Sequence, residues 1–130
     1  HSVSDYSARF GAAHPEWFVG GKPGPNKQLR YDHPGVVEQV AKDAVQFFTR
    51  TFAERRFGTT DTAAARVSGG EYFAVMPLDN RDYGETTNPR LQPRRAGPNF
   101  GNGTASNYIW SFVNSVAGKI APAFPDPRPA

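Results

Sequence analysis

The chain has 130 residues and a mass of 14.2 kDa, and it is 38% hydrophobic, 13% aromatic and 21% charged. This length fits one domain, and the apolar content excludes disorder of the whole chain. The absence of cysteine excludes a disulfide framework, a thiolate zinc site and a cysteine nucleophile.

The formal net charge of +3 is unevenly distributed. Residues 1–85 carry 10 Lys/Arg and 11 Asp/Glu, and the remainder carries 5 and 1. Arg90, Arg94 and Arg95 supply most of this excess, but they lie among Pro and Gly in a predicted loop. A nucleic-acid site would need a basic face with interleaved aromatics, so we expect no nucleic-acid partner. No apolar run approaches the ~18 residues of a membrane span, so we expect no membrane partner.

The first strong element is a helix. The first 31 residues are predicted to be irregular, with one short helical turn near Ala8–Phe10. Asp32-His33-Pro34 then predicts a helix start, because Asp32 or His33 can cap it and Pro34 suits the first turn. The helix is expected from about His33 to about Arg56. Its apolar stripe repeats every three or four residues, at Val37, Ala41, Ala44, Phe48 and Phe52.

A strand and a second helix are predicted next. Glu71–Leu78 is short and almost continuously apolar, which is typical of a strand buried on both faces of a parallel sheet. Its partners are sought in Trp17–Val19, in Gln28–Tyr31, or in a part of the protein that this chain lacks. After a long loop, Ser106 caps a helix to about Ala121, and Tyr108 and Trp110 flank its apolar stripe and are assigned to packing. The stripe consists of Ile109, Phe112, Val113, Val116, Ala117 and Ile120. This alternation of elements predicts an α/β fold.

Several short motifs occur in a recognisable order along the chain. They are His1-Ser2-Val3, His14-Pro15-Glu16-Trp17-Phe18, Gln28-Leu29-Arg30-Tyr31-Asp32-His33-Pro34-Gly35-Val36, Asp79-Asn80, Phe112-Val113-Asn114-Ser115-Val116-Ala117 and Phe124-Pro125-Asp126. Together they resemble a bacterial family of unknown function that is related to α-glucuronidases and other glycoside hydrolases. The resemblance implies a glycosidase-like (β/α)8 TIM barrel, of which residues 1–130 would form one internal segment of about two β/α units. The segment lacks cysteines that family members often carry, and His33 stands where Asn is usual.

The candidate site lies where the predicted strand ends. Ligands of parallel α/β folds bind at the carboxyl ends of strands, and Asp79 follows the strand directly. On the resemblance, Asp79 is the expected catalytic carboxylate of a glycoside hydrolase. Its second carboxylate is expected outside this chain. The expected sugar contacts are Asn80, His1, Trp17, Asp82, Tyr83 and Arg81. Trp17 has a second interpretation, as an anchor of its loop in the core.

The expected partner is an oligosaccharide or glycan that contains a uronate or an amino sugar. We expect no cofactor and no metal, and we expect a secreted or periplasmic protein. A barrel segment on its own would expose strand edges and apolar helix faces, so self-association is expected.

Two other functional classes stay open. One is a non-catalytic carbohydrate-binding or interaction module, in which Asp79 and the aromatic residues bind without turnover. The other, less favoured, is a copper protein in which His1 chelates the metal through its amine and ring, with His14 or His33 as a further ligand.

Overall fold

The computed structural model describes residues 3–57, 73, 75, 77, 78, 82–84, 91 and 104–124. Three α-helices organise these residues: α1 (Val3–Phe10), α2 (Pro34–Phe57) and α3 (Thr104–Ile120). Short 3₁₀ turns lie at Pro15–Trp17, Val19–Gly21 and Ala121–Ala123. No helix in these residues is long and apolar enough to cross a membrane.

The predicted α/β barrel segment is wrong. Of the residues described, 66% are helical and 3% are in strand, and they form no sheet. Phe73, Val75, Pro77 and Leu78 belong to the predicted strand, and none of them is in a strand. The strand pairing observed in the described residues is one antiparallel bridge between Phe18 and Leu29.

The described residues of the apolar run that suggested a strand contact a helix and a side-chain amide instead. The ring of Phe73 lies 5.6 Å from that of Phe47 and 6.4 Å from that of Phe48, both on α2. The backbone of Leu78 is hydrogen-bonded by the buried side chain of Gln28. A short apolar segment does not specify whether its partner is a strand or a helix, and here a helix face and a side-chain amide take that role.

The helix α1 is longer than the single turn predicted near Ala8–Phe10. Tyr6 and Phe10 lie one helical turn apart on its inner face, with ring centroids 5.5 Å apart. Arg9 on the same helix pairs with Asp43 of α2 at 2.7 Å, and Asp43 is buried. The contact with α2 therefore holds α1 against the core.

The helix α2 confirms the predicted element and its start. The backbone N–H groups of Val36 and Val37 donate to the His33 carbonyl, and His33 Nδ1 accepts from the Gly35 N–H at 3.1 Å. His33 therefore caps α2, and Pro34 occupies its first turn. Its buried face contains Val36, Val37, Val40, Ala41 and Ala44.

The helix α3 packs against α2 and completes the core. Phe112 and Val116 are buried on its inner face, as predicted from the stripe, and Tyr108 is buried beside them. Trp110, assigned to packing, is instead 63% exposed. Lys119 pairs with Glu38 of α2 at 2.8 Å.

Candidate functional site

A cleft of about 350 Å³ opens beside the bridge between Phe18 and Leu29. One wall is the 3₁₀ segment that includes Glu16 and the Gly20-Gly21 turn. The other wall is Tyr83-Gly84, and Arg30 also lines the cleft. The lining residues are Glu16, Phe18, Val19, Gly20, Gly21, Arg30, Tyr83 and Gly84.

The first wall is built by a reversal of the chain. Gly20 and Gly21 begin it with φ values of 70° and 67°, a backbone conformation that glycine adopts without steric cost. The connection that follows returns the chain alongside itself, so that Leu29 pairs with Phe18. The Arg30 N–H donates to the Trp17 carbonyl at 2.7 Å, and the Val19 N–H donates to the Gln28 carbonyl at 3.0 Å. Arg30 is therefore held next to the segment that carries Glu16.

The second wall rests on a cluster of tyrosines. The ring of Tyr83 lies 6.4 Å from each of the rings of Tyr31 and Tyr108. Tyr108 in turn donates a hydrogen bond to Asp32 Oδ1 at 2.9 Å. Burial raises the pKa of Tyr31 and of Tyr108 above the ordinary range, so both phenols stay neutral. This cluster connects the cleft to α3.

Side chains of opposite charge line the cleft. A hydrogen bond from its own backbone amide and another from His14, at 2.9 Å, lower the pKa of Glu16, so this carboxylate is ionised at neutral pH. Arg30 reaches Asp32 at 3.5 Å, and about half of its side chain is exposed. A guanidinium has five N–H donors, so Arg30 has further donors for a ligand.

The predicted site residues fall into three groups. Tyr83 lines the cleft, and Asp82 lies next to it and pairs with Lys27 at 3.3 Å. Trp17 is only 7% exposed, and the ring of His14 stacks on its indole at 4.2 Å, so its position matches the anchoring role. The predicted residues that lie outside the described part of the chain are Asp79, Asn80, Arg81 and His1.

Glu16 and Arg30 were not predicted as site residues. They are 14 positions apart in the sequence, and the pairing of Trp17 with Arg30 through the backbone brings them to one cleft. The available signal was the Gly- and Pro-rich connection from Gly20 to Asn26 between two apolar segments, because a connection of this composition allows the flanking segments to pair.

The described residues hold no cluster of three or more His, Cys, Asp or Glu side chains that could bind a metal ion. His14 bonds to Glu16, and His33 caps α2. The copper hypothesis depends on His1, which lies outside the described part of the chain, so it remains a hypothesis.

The chain matches no family model, no curated protein and no solved structure.

Proposed function

We propose that the chain binds a carbohydrate in the cleft between Glu16 and Tyr83. The observation that carries the proposal is the convergence of a carboxylate, a guanidinium and a tyrosine ring on one open cavity. Its volume of about 350 Å³ falls within the range of small-molecule sites. The same class of ligand was expected from the motif resemblance to a family related to α-glucuronidases, whose implied barrel the described residues do not form.

The lining chemistry matches what a sugar presents. Glu16 accepts hydrogen bonds from hydroxyl groups, and Arg30 can donate two parallel hydrogen bonds to a carboxylate or to adjacent oxygens. The face of Tyr83 offers an apolar surface for the C–H groups of a pyranose ring. Gly20 and Gly21 carry no side chains, and a Cβ built on either would have nothing within 4 Å, so a ligand can approach their backbone.

The proposal is one of binding, and turnover is an extension of it. Hydrolysis of a glycosidic bond needs two carboxyl groups roughly 5–10 Å apart. Within the described residues, Glu16 is the one carboxylate that lines the cleft. Asp79 remains the predicted catalytic residue, so an assay of hydrolysis with Asp79→Asn addresses turnover separately.

The test is a titration of the chain with three sets of oligosaccharides, which contain glucuronic acid, N-acetylglucosamine or only glucose. We expect saturable binding of at least one set, weakened about tenfold or more by Tyr83→Ala and by Arg30→Gln, since each removes a direct contact. Lys42→Gln is the matched control, because Lys42 is an exposed cation on α2 that does not line the cleft. Absence of binding to all three sets, or equal binding by both cleft variants and the control, would refute the proposal.

A further inference from the structure

Gln28 is a fully buried polar residue, and the motif that contains it did not predict a role for its side chain. Its Nε2 donates to the Leu78 carbonyl at 2.7 Å, and its Oε1 accepts from the Leu78 N–H at 3.1 Å. The Tyr31 hydroxyl donates to the same Oε1 at 2.8 Å. One side-chain amide therefore pairs with both backbone groups of a single residue 50 positions away.

This pairing selects one register of the segment around Leu78. In an extended chain, successive residues present their backbone groups to opposite sides, so the next residue that could offer the same pair is two positions away. A buried amide without partners costs free energy, which penalises any arrangement in which Gln28 loses Leu78. The Tyr31 hydroxyl orients the amide. It donates to Oε1, so it favours the orientation in which the amide oxygen, and not the nitrogen, faces the Leu78 N–H.

Gln28 is also bonded through its backbone to the first wall of the cleft, the wall that contains Val19. Its backbone carbonyl accepts the hydrogen bond from Val19, and Val19 lines the cleft. Leu78 precedes Asp79 directly and lies five residues before Tyr83 in the sequence. Tyr83 belongs to the second wall of the cleft. The backbone of Gln28 is thus bonded to the first wall. Its side chain is bonded to Leu78, which precedes the second wall in the sequence.

We propose that Gln28 is a positioning residue, which fixes the two walls of the cleft relative to each other through Leu78. This inference rests on the proposed function only for its effect on sugar binding. The hydrogen-bonded link itself is testable without any ligand, so the two proposals can fail separately.

The first measurement is amide hydrogen exchange of the wild-type chain by NMR. We expect the Leu78 amide to be protected at least about tenfold relative to an exposed amide. Unprotected Leu78 in the folded wild type would overturn the inference whatever the chain binds, and this measurement does not depend on a variant that folds.

The second measurement uses Gln28→Met, which keeps the length of the side chain and removes both hydrogen bonds to Leu78. We expect Leu78 to lose its protection, and the affinity for the oligosaccharide set bound by the wild type to fall about tenfold. Tyr31→Phe removes only the orienting hydroxyl, and we expect a smaller loss of the same protection. If Gln28→Met does not fold, Tyr31→Phe is measured in its place.

The control is Val116→Ala, which opens a cavity in the buried face of α3. It should lower the stability while leaving the Leu78 protection and the affinity unchanged. Equal affinity losses in Gln28→Met and Val116→Ala would assign Gln28 a purely structural role and overturn the inference. If the wild type binds no sugar but Leu78 loses protection only in the Gln28 and Tyr31 variants, the proposed function fails and the link between the walls stands.

Discussion

The packing of Trp17 on the first turn of α2 predicts that one glycine cannot become alanine without cost. A Cβ at Gly35 would lie 2.8 Å from Trp17 Nε1 and 3.0 Å from Cε2. The indole cannot retreat easily, because the ring of His14 stacks on it at 4.2 Å and that of Phe10 lies 5.3 Å away. Gly35→Ala therefore overfills a site that is already packed.

The magnitude follows from two opposing effects. Alanine ordinarily stabilises a helix position by about 0.5–1 kcal/mol relative to glycine. Overpacking of this kind costs about 1–3 kcal/mol, so the net loss of unfolding free energy should lie within about 0–2.5 kcal/mol and be centred near about 1.2 kcal/mol. For a chain of this size, the central value lowers Tm by about 4 °C. Gly118 on α3 is the matched control, because an added Cβ there has nothing within 4 Å. Gly118→Ala should raise Tm by a few degrees, since only the propensity gain of about 0.5–1 kcal/mol applies.

The assay is thermal and urea unfolding followed by circular dichroism, with both substitutions made in a Trp110→Phe background. The chain has two tryptophans, so fluorescence in this background reports on Trp17 alone. We expect the emission of Trp17 to change in Gly35→Ala and to stay constant in Gly118→Ala. If Gly35→Ala stabilises the chain as much as Gly118→Ala does, with the Trp17 emission unchanged, the indole does not pack on Gly35 and the reasoning is refuted.

Two further predictions concern buried hydrogen bonds. Burial alone would raise the pKa of Asp43, but hydrogen bonds from Arg9, Tyr6 and Gln39 outweigh it and hold that pKa below the ordinary value. The stability that Asp43 supplies is therefore complete above the unfolded-state pKa of 3.8 and is lost as the pH falls through the lower folded value. Asp43→Asn should lower the free energy of unfolding by about 2–3 kcal/mol at pH 7, and by progressively less below pH ~4. Urea unfolding that shows the same difference between wild type and variant down to pH 2 would contradict this. Tyr108→Phe removes the hydrogen bond to Asp32 and should cost about 1–2 kcal/mol, so an unchanged urea midpoint would count against that contact.

The two long helices were predictable because their signals are local. The apolar spacing and the His33-Pro34 start locate α2, and the stripe through Phe112 and Val116 locates α3. The exposure of Trp110 was not predictable in this way, since the apolar character of a side chain does not fix which side of a helix meets the core.

The rest depends on contacts between distant residues. The helix α1 is held by Tyr6 and Arg9, whose partner Asp43 is 37 and 34 positions away. The apolar run at Glu71–Leu78 satisfied the pattern of a strand, but Gln28 bonds to Leu78 where a neighbouring strand was expected. At the candidate site, Tyr83 and Asp82 were predicted to contact a sugar, and Tyr83 lines the cleft. That prediction stays untested until binding is measured.

The attachment of α3 has a consequence for how the chain can vary. Tyr108 meets Asp32 across 76 residues, and Lys119 of α3 meets Glu38 of α2. Ordering α3 therefore brings together residues that are far apart in the sequence, and the entropic cost of closing such a separation rises only logarithmically, by about 0.6 kcal/mol for each doubling of its length. The rate of folding is more sensitive to such separations than the stability is. Insertions between α2 and α3 that leave the contacts of Phe73, Leu78 and Tyr83 intact should thus slow the docking of α3 more than they weaken it. The stability of the helical core therefore places little constraint on the length of the chain between the two helices.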